Sequence, residues 1–231
     1  MKKVAATFDF ENSLWKQNLN YVVGLDEVGR GAWAGPMVAA AVIFPQNCEL
    51  KFQVFDSKML SPKNREILSE QIIGQSLTYG IGQVEAVEIE KMGLAKANQV
   101  VFYRALEKLK IKPDHYLIDA FYLKFLSKLK QTPIVYGDQI SASIAAASII
   151  AKNYRDKLMI NLADKYPAYS FALHKGYGTK LHQEAILRYG LSKVHRVNYN
   201  LKFLTKSHSE LVSESFSYQL DPETSSGWQY D

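Results

Sequence analysis

Apolar residues fall along this chain in two rhythms, short β-branched runs and longer stretches of helical period. Tyr21 to Asp26 and Met37 to Phe44 are apolar runs separated by a glycine-rich turn, and Leu77 to Val84 reads as a third strand. Three such strands predict a meander. Between the second and third, Ser61-Pro62 ahead of Lys63 to Ile73 supplies a capping hydroxyl, a proline at the first helical position and good helix formers, hence a short crossover helix. Further on, Ala95 to Leu109 is helical by period, Tyr116 to Asp119 is a brief apolar strand, and Phe121 to Leu129 reads as helix. Pro133 to Tyr136 is strand-like and Ile140 to Leu162 strongly helical. In this last segment Ile140, Ile144, Ala147, Ala151 and Leu158 form a stripe expected in the core, and Ala145, Ala146 and Ala147 permit close packing. The expectation is an α/β fold with a mixed sheet, three early antiparallel strands and then parallel ones, flanked by helices and followed by a helical C-terminal part.

A length of 231 residues with 47% apolar content suits one domain with a sizeable core. Residues 1–206 are expected to form it. From about Ser207 the chain is serine-rich and carries five acidic residues without Lys or Arg, predicting a disordered or loosely attached tail over 207–231. The formal charge of +5 therefore hides an asymmetry: residues 1–207 hold all 28 basic residues and 18 of the 23 acidic ones, an excess of ten positive charges. Such a body suits a polyanionic partner. The apolar patch after Met1-Lys2-Lys3 is too short for a signal peptide or membrane span, so a cytoplasmic protein without membrane contact is expected. Cys48 is the one cysteine, which excludes an internal disulfide and a cysteine-built metal site.

Four acidic residues stand where apolar strands end: Asp26 and Glu27 after Tyr-Val-Val-Gly-Leu, Asp119 after Tyr-Leu-Ile, and Asp138 after Ile-Val-Tyr-Gly. One acid at a strand end is ordinarily a turn former or helix cap. Four of them could share a site. Two unit charges at about 4 Å repel by roughly 4 kcal/mol at an effective dielectric near 20, so converging carboxylates need protons or cations to balance them. An oxygen-only ligand set favours Mg²⁺ or Mn²⁺, and two such ions could activate a water and stabilise the leaving oxygen of a phosphodiester. Because neighbouring strand residues point to opposite faces, a bulge or the strand end must re-aim Asp26 or Glu27. The turn Gly29-Arg30-Gly31 offers close backbone approach and a forked cationic donor. Asp138, just before a long helix, is expected to feel the positive end of its dipole.

The run Gly24-Leu25-Asp26-Glu27-Val28-Gly29-Arg30-Gly31-Ala32-Trp33-Ala34-Gly35-Pro36 closely resembles the signature of bacterial ribonuclease HII. Further resemblances follow in order: Asp56-Ser57-Lys58, Ile118-Asp119, Gly137-Asp138 with Ser141 to Ile149, and His174 to Thr179. The resemblance covers residues 20 to 200 and implies an RNase H-like fold with Asp26, Glu27, Asp119 and Asp138 as the catalytic, metal-binding acids. It implies that Gly29, Arg30 and Gly31 read the ribose 2′-hydroxyl, that Tyr177 lies against the sugar at the RNA-to-DNA junction, and that Lys58 and Arg30 hold phosphates. The substrates implied are RNA–DNA hybrids and ribonucleotide-containing duplex DNA, cut to 5′-phosphate and 3′-hydroxyl ends by a monomer with Mg²⁺ or Mn²⁺. His174, His182 and His195 read as surface, phosphate-contacting or packing residues rather than metal ligands. Trp33 departs from the family pattern, placing an indole beside the turn where it could alter substrate contact. His195 to Tyr199 matches only in part. A ribonuclease HIII-like enzyme preferring longer RNA tracts is the nearest alternative, disfavoured by Arg30 and by the roughly 20 residues that precede the first strand. A non-catalytic nucleic-acid-binding module would explain the charge but not the four acids.

Overall fold

The computed structural model describes residues 5–54, 57, 60–197, 199 and 201. Lys58 and the acidic tail lie outside them. In chain order the elements are α1 (Asp9–Trp15), β1 (Val22–Val28), β2 (Met37–Ile43), α2 (Pro62–Gln75), β3 (Thr78–Val84), α3 (Ala86–Met92), α4 (Leu94–Leu106), β4 (His115–Asp119), β5 (Gln131–Ile134), α5 (Gly137–Ile140), α6 (Ala142–Lys165), α7 (Phe171–His174) and α8 (Lys180–Tyr189). The sheet has the order β3-β2-β1-β4-β5. β1 runs antiparallel to β2, and β2 to β3, while β4 pairs parallel with β1 and β5 parallel with β4. This is the expected mixed α/β sheet.

Helices cover both faces, which is why β2 is buried at every position and reads as an unbroken apolar run. Leu25, Ala39 and Ala41 pack with Val101 and Phe102 of α4, whereas Val38, Ala40 and Val42 pack with Ala145 to Ala147 of α6 and Ile72 of α2. Alanine on each face of β2 leaves room for both helices. At Gly24 the approach is closer still, since a Cβ there would stand 2.1 Å from the carbonyl carbon of Ser143. The start of α6 therefore rests directly on β1, two residues before Asp26. α2 begins as expected, with the Ser61 hydroxyl accepting from the Asn64 amide and Pro62 in the first turn.

Two expectations from periodicity fail. Phe121 to Leu129 is not a helix; only a 3₁₀ turn over Lys128–Lys130 forms there. Ala120 has φ of 64°, and the buried Gln131 carboxamide accepts from the Leu123 amide while donating to the Leu123 and Leu126 carbonyls. A distant side chain thus takes the backbone groups that a helix would pair internally. The second failure is Ile140 to Leu162, which is broken at Ser141. That residue is extended, and its hydroxyl caps α6 by accepting from the Ile144 amide. Ile140 consequently falls outside the core stripe and is exposed, while Ile144, Ala147 and Ala151 are buried. Asp138 accordingly sits in the first turn of the short α5, not at the start of α6.

Candidate active site

β1 and β4 lie side by side and parallel, with Leu25 paired to Ile118 at the end of their ladder. Asp26 and Asp119, one residue further on, emerge together. Asp119 Oδ1 accepts from the Gly137 amide at 2.8 Å, which ties β4 to the turn that carries Asp138. Asp26, Glu27, Asp119 and Asp138 line one cleft of about 430 Å³ at the carboxyl ends of these strands. The β1–β2 ladder runs without a bulge through Asp26–Ala40, Glu27–Ala39 and Val28–Val38. Both carboxylates lie within β1, just past the end of its parallel ladder with β4, and both border the cleft without a bulge.

Asp26 and Asp138 are buried, and Glu27 and Asp119 are half-buried. Burial, then the charge of Glu27, raises the Asp26 carboxyl well above the ordinary aspartate value, against the lowering effect of a Ser148 hydrogen bond. Glu27 is pushed up to about 7, chiefly by burial, with Arg30 opposing and Asp119 reinforcing the shift. Hard oxygen donors in a negative, dehydrated cleft fit a divalent cation in chemistry and charge. Among the described residues, no three His, Cys, Asp or Glu side chains are already grouped closely enough to hold an ion. Asp26 Oδ1 is engaged by the Glu27 amide at 2.7 Å.

Tyr177 lines the same cleft. Its neighbours hold it firmly: the His174 Nδ1 accepts from the Gly176 amide, the His182 Nδ1–H donates to the Tyr177 carbonyl, and the Trp33 amide donates to the Gly176 carbonyl. His174, His182 and His195 are thus buried packing residues. His174 and His182 stack at 4.4 Å between ring centres. Trp33 turns inward as well, its ring lying against Gly178 and 5.6 Å from the His182 ring. The half-buried indole forms part of the packing behind Tyr177.

The Gly29–Gly31 turn is supported by two buried arginines that went unnoticed in the sequence. Arg155 donates to the carbonyls of Pro36, Ala34 and Lys175, and its guanidinium lies 5.3 Å from the centre of the Tyr177 ring. Arg196 donates to Gly35 and Arg30 carbonyls, and the Tyr199 hydroxyl also donates to Arg30. Ser57, Ser148 and Lys152 complete the cleft. The sequence carries a spacing signal for Ser148 and Lys152, which with Arg155 fall at four- and three-residue steps along one side of α6. Lys152 is held by Asp156 at 2.7 Å, which also binds Arg65 at 2.8 Å.

A family model described as Ribonuclease HII matches residues 23–205. The chain belongs to the ribonuclease HII family. The ribonuclease HII of Dehalococcoides mccartyi is 46% identical over 189 residues, covering 80% of this chain and 89% of that protein. Among solved structures, the ribonuclease H2 of Pyrococcus horikoshii OT3 superposes with a TM-score of 0.60 at 24% identity, covering 85% of this chain and 99% of that one. Bst-RNase HIII in complex with Mn²⁺ superposes with a TM-score of 0.65 at 19% identity, covering 86% and 74%. At these identities the structures establish the shared RNase H-like fold. Membership in the ribonuclease HII family makes the chain an endoribonuclease of the ribonuclease H type.

Proposed function

We propose that this endonuclease hydrolyses the RNA strand of RNA–DNA hybrids and cuts at single ribonucleotides embedded in duplex DNA, leaving 5′-phosphate and 3′-hydroxyl ends, with Mg²⁺ or Mn²⁺ as its cofactor. The observation that carries this reading is that one side chain, Arg155, packs beneath Gly29 and against the ring of Tyr177, which lines the four-carboxylate cleft. A backbone turn and an aromatic ring held in register can test one sugar, and the 2′-hydroxyl is what separates RNA from DNA at a single position.

Asp26, Glu27, Asp119 and Asp138 would hold the cation. Divalent ions bound by such carboxylates activate a water and stabilise the leaving oxygen of the phosphodiester. The chain's own residues orient the strand. Tyr177 supports the ribose ring, the amides of the Gly29–Gly31 turn face the 2′-hydroxyl, and Arg30 holds an adjacent phosphate. Lys152, the described lysine on the cleft wall, supplies a second cation beside Tyr177, 5.9 Å from its ring centre. Lys58 is proposed for phosphate contact on the resemblance alone.

The test compares a DNA duplex carrying one ribonucleotide with a continuous RNA–DNA hybrid, each with Mg²⁺ and with Mn²⁺, mapping the cut position and its ends. Cleavage on the 5′ side of the lone ribonucleotide, abolished by Asp26→Asn, is expected. Cleavage confined to the long hybrid would overturn the single-ribonucleotide reading in favour of a ribonuclease HIII-like preference.

A further inference from the structure

Asp138 borders the cleft from α5, a single turn of four residues that other parts of the chain hold at both ends. At its start the Gly137 amide donates to Asp119 Oδ1. At its end the chain is extended at Ser141 before α6 begins. The apolar period through Ile140, Ile144 and Ala147 favours one continuous helix here, and the segment ahead of β1 prevents it. Three backbone groups that such a helix would pair internally are taken from outside. The Ile140 carbonyl accepts from the Thr7 amide at 3.0 Å, the Ala142 amide donates to the Thr7 carbonyl at 2.9 Å, and the Ser143 amide donates to Glu11 Oε1 at 2.9 Å.

Glu11 is the side chain at the centre of this contact. It is 1% exposed, and its Oε1 also accepts from the hydroxyls of Ser141 and Ser143. α1 is itself anchored, because Trp15 packs with Val22 of β1, Leu117 of β4, Ile134 of β5 and Ile144 of α6. The carboxyl group is thus fixed to the same strands that carry Asp26 and Asp119. The family match begins at residue 23, so Thr7 and Glu11 lie ahead of it.

We propose that Glu11 is a positioning residue for the cation site: by holding Ser141 and Ser143 it keeps α5 separate from α6 and Asp138 in the cleft. The inference rests on the assignment of Asp138 to the cation site given above. Without the Glu11 acceptor, the Ser143 amide is free to pair with the Gln139 carbonyl, as in an ordinary helix. Ile140, now 41% exposed, stands one helical turn before the buried Ile144, so joining the two helices would also bury it. Asp138, two residues ahead of Ile140, would move with that turn. Residues that orient a metal ligand from behind contribute to affinity without touching the ion.

The test measures Mn²⁺ binding by calorimetry, without substrate, for wild type, Glu11→Ala, Glu11→Gln, Asp138→Asn and the Glu11→Ala/Asp138→Asn double variant, with circular dichroism to confirm folding. Glu11→Ala should bind Mn²⁺ about tenfold more weakly, the scale of losing a group that orients a metal ligand. Glu11→Gln keeps a side-chain oxygen acceptor in place and should stay close to wild type. In the Asp138→Asn background Glu11→Ala should add no further loss, since Glu11 acts through Asp138. Metal-free binding of a ribonucleotide-containing duplex should not change, because Tyr177 and the Gly29–Gly31 turn stand on other elements. Should Glu11→Ala not fold, Ser143→Ala, which removes one donor hydroxyl, carries the test in both backgrounds with a loss of about threefold. Wild-type Mn²⁺ affinity in the folded variant, additive losses in the double variant, or an equal weakening of metal-free duplex binding overturns the proposal. Wild-type affinity in Asp138→Asn overturns instead the assignment of Asp138 to the cation site, a result separable from these.

Discussion

Arg155 fills the space beneath Gly29: a Cβ on that glycine would stand 2.1 Å from the arginine's Nε. Gly29 also has φ of 84°, a region that side-chain-bearing residues enter only under strain. Gly29→Ala should therefore destabilise the protein by about 2 kcal/mol or more and displace the turn from the cleft. Arg155→Met should cost about 3–5 kcal/mol, because it leaves three carbonyls without their donor. Denaturant unfolding measures both. Cleavage should fall further than stability predicts at a temperature where each variant is folded, since Tyr177 and the turn lose their common support.

Asp26 stands at a point where function and stability oppose each other. Its carboxyl is raised well above its ordinary value, so ionising it at neutral pH works against the folded state. Asp26→Asn keeps the shape and removes the charge. Without divalent cations, the variant should melt about 2–4 °C higher than wild type, the shift expected for about 1 kcal/mol in a protein of this size. With added Mg²⁺ or Mn²⁺ the wild type should gain melting temperature and the variant little, while cleavage by the variant is lost. An equal rise in both proteins would remove Asp26 from the cation site.

The acids and the turn were legible in the sequence because their signals are local: an apolar run, a carboxylate, a glycine. Their meeting was not, since it depends on the Leu25–Ile118 register between strands about 90 residues apart. The break at Ser141 was hidden for the same reason. The buried Glu11 of α1 accepts from the hydroxyls of Ser141 and Ser143 and from the Ser143 amide, and the Thr7 amide donates to the Ile140 carbonyl. Ser141 and Ser143 supply one half of that clamp, but its other half, Glu11, lies 130 residues earlier in the chain. Gln131 defeats the helical reading of Phe121 to Leu129 in the same way, from outside the segment. Arg155 and Arg196 were missed because each satisfies carbonyls far away in the chain, a role with no motif.

Trp33 packs against Gly178 behind Tyr177, and this contact is testable. Its ring carbons stand within 2.3 Å of where a Gly178 Cβ would be, so indole and glycine are matched in size. Trp33→Ala removes the backing of the Tyr177 segment and should cost about 2–4 kcal/mol. Gly178→Ala should be destabilising as wild type and less so in the Trp33→Ala background, a coupling that a double-mutant cycle measures. Independent, additive effects would count against the contact.

The three buried histidines predict how stability depends on pH. His195 Nδ1 accepts from the Ser192 amide, so its Nε2 carries the proton and donates to His182 Nε2, whose Nδ1–H donates to the Tyr177 carbonyl. Every ring is neutral in this chain of bonds. A proton on His182 Nε2 would confront the one already on His195. Burial pushes both His182 and His195 down to about 4 from their ordinary value of 6.5. The unfolded chain therefore binds more protons than the folded one between about pH 6.5 and 4, and stability rises with pH across that window. Their contribution is fully present above pH 6.5 and is lost as pH falls toward 4, together amounting to about 3–5 kcal/mol. Denaturant unfolding from pH 7 to pH 4.5 should show that loss, and His195→Gln should flatten the slope while lowering stability at pH 7. A slope unchanged by this substitution would mean that other groups govern the acid sensitivity and that the histidine chain does not hold the Tyr177 segment in a protonation-dependent way.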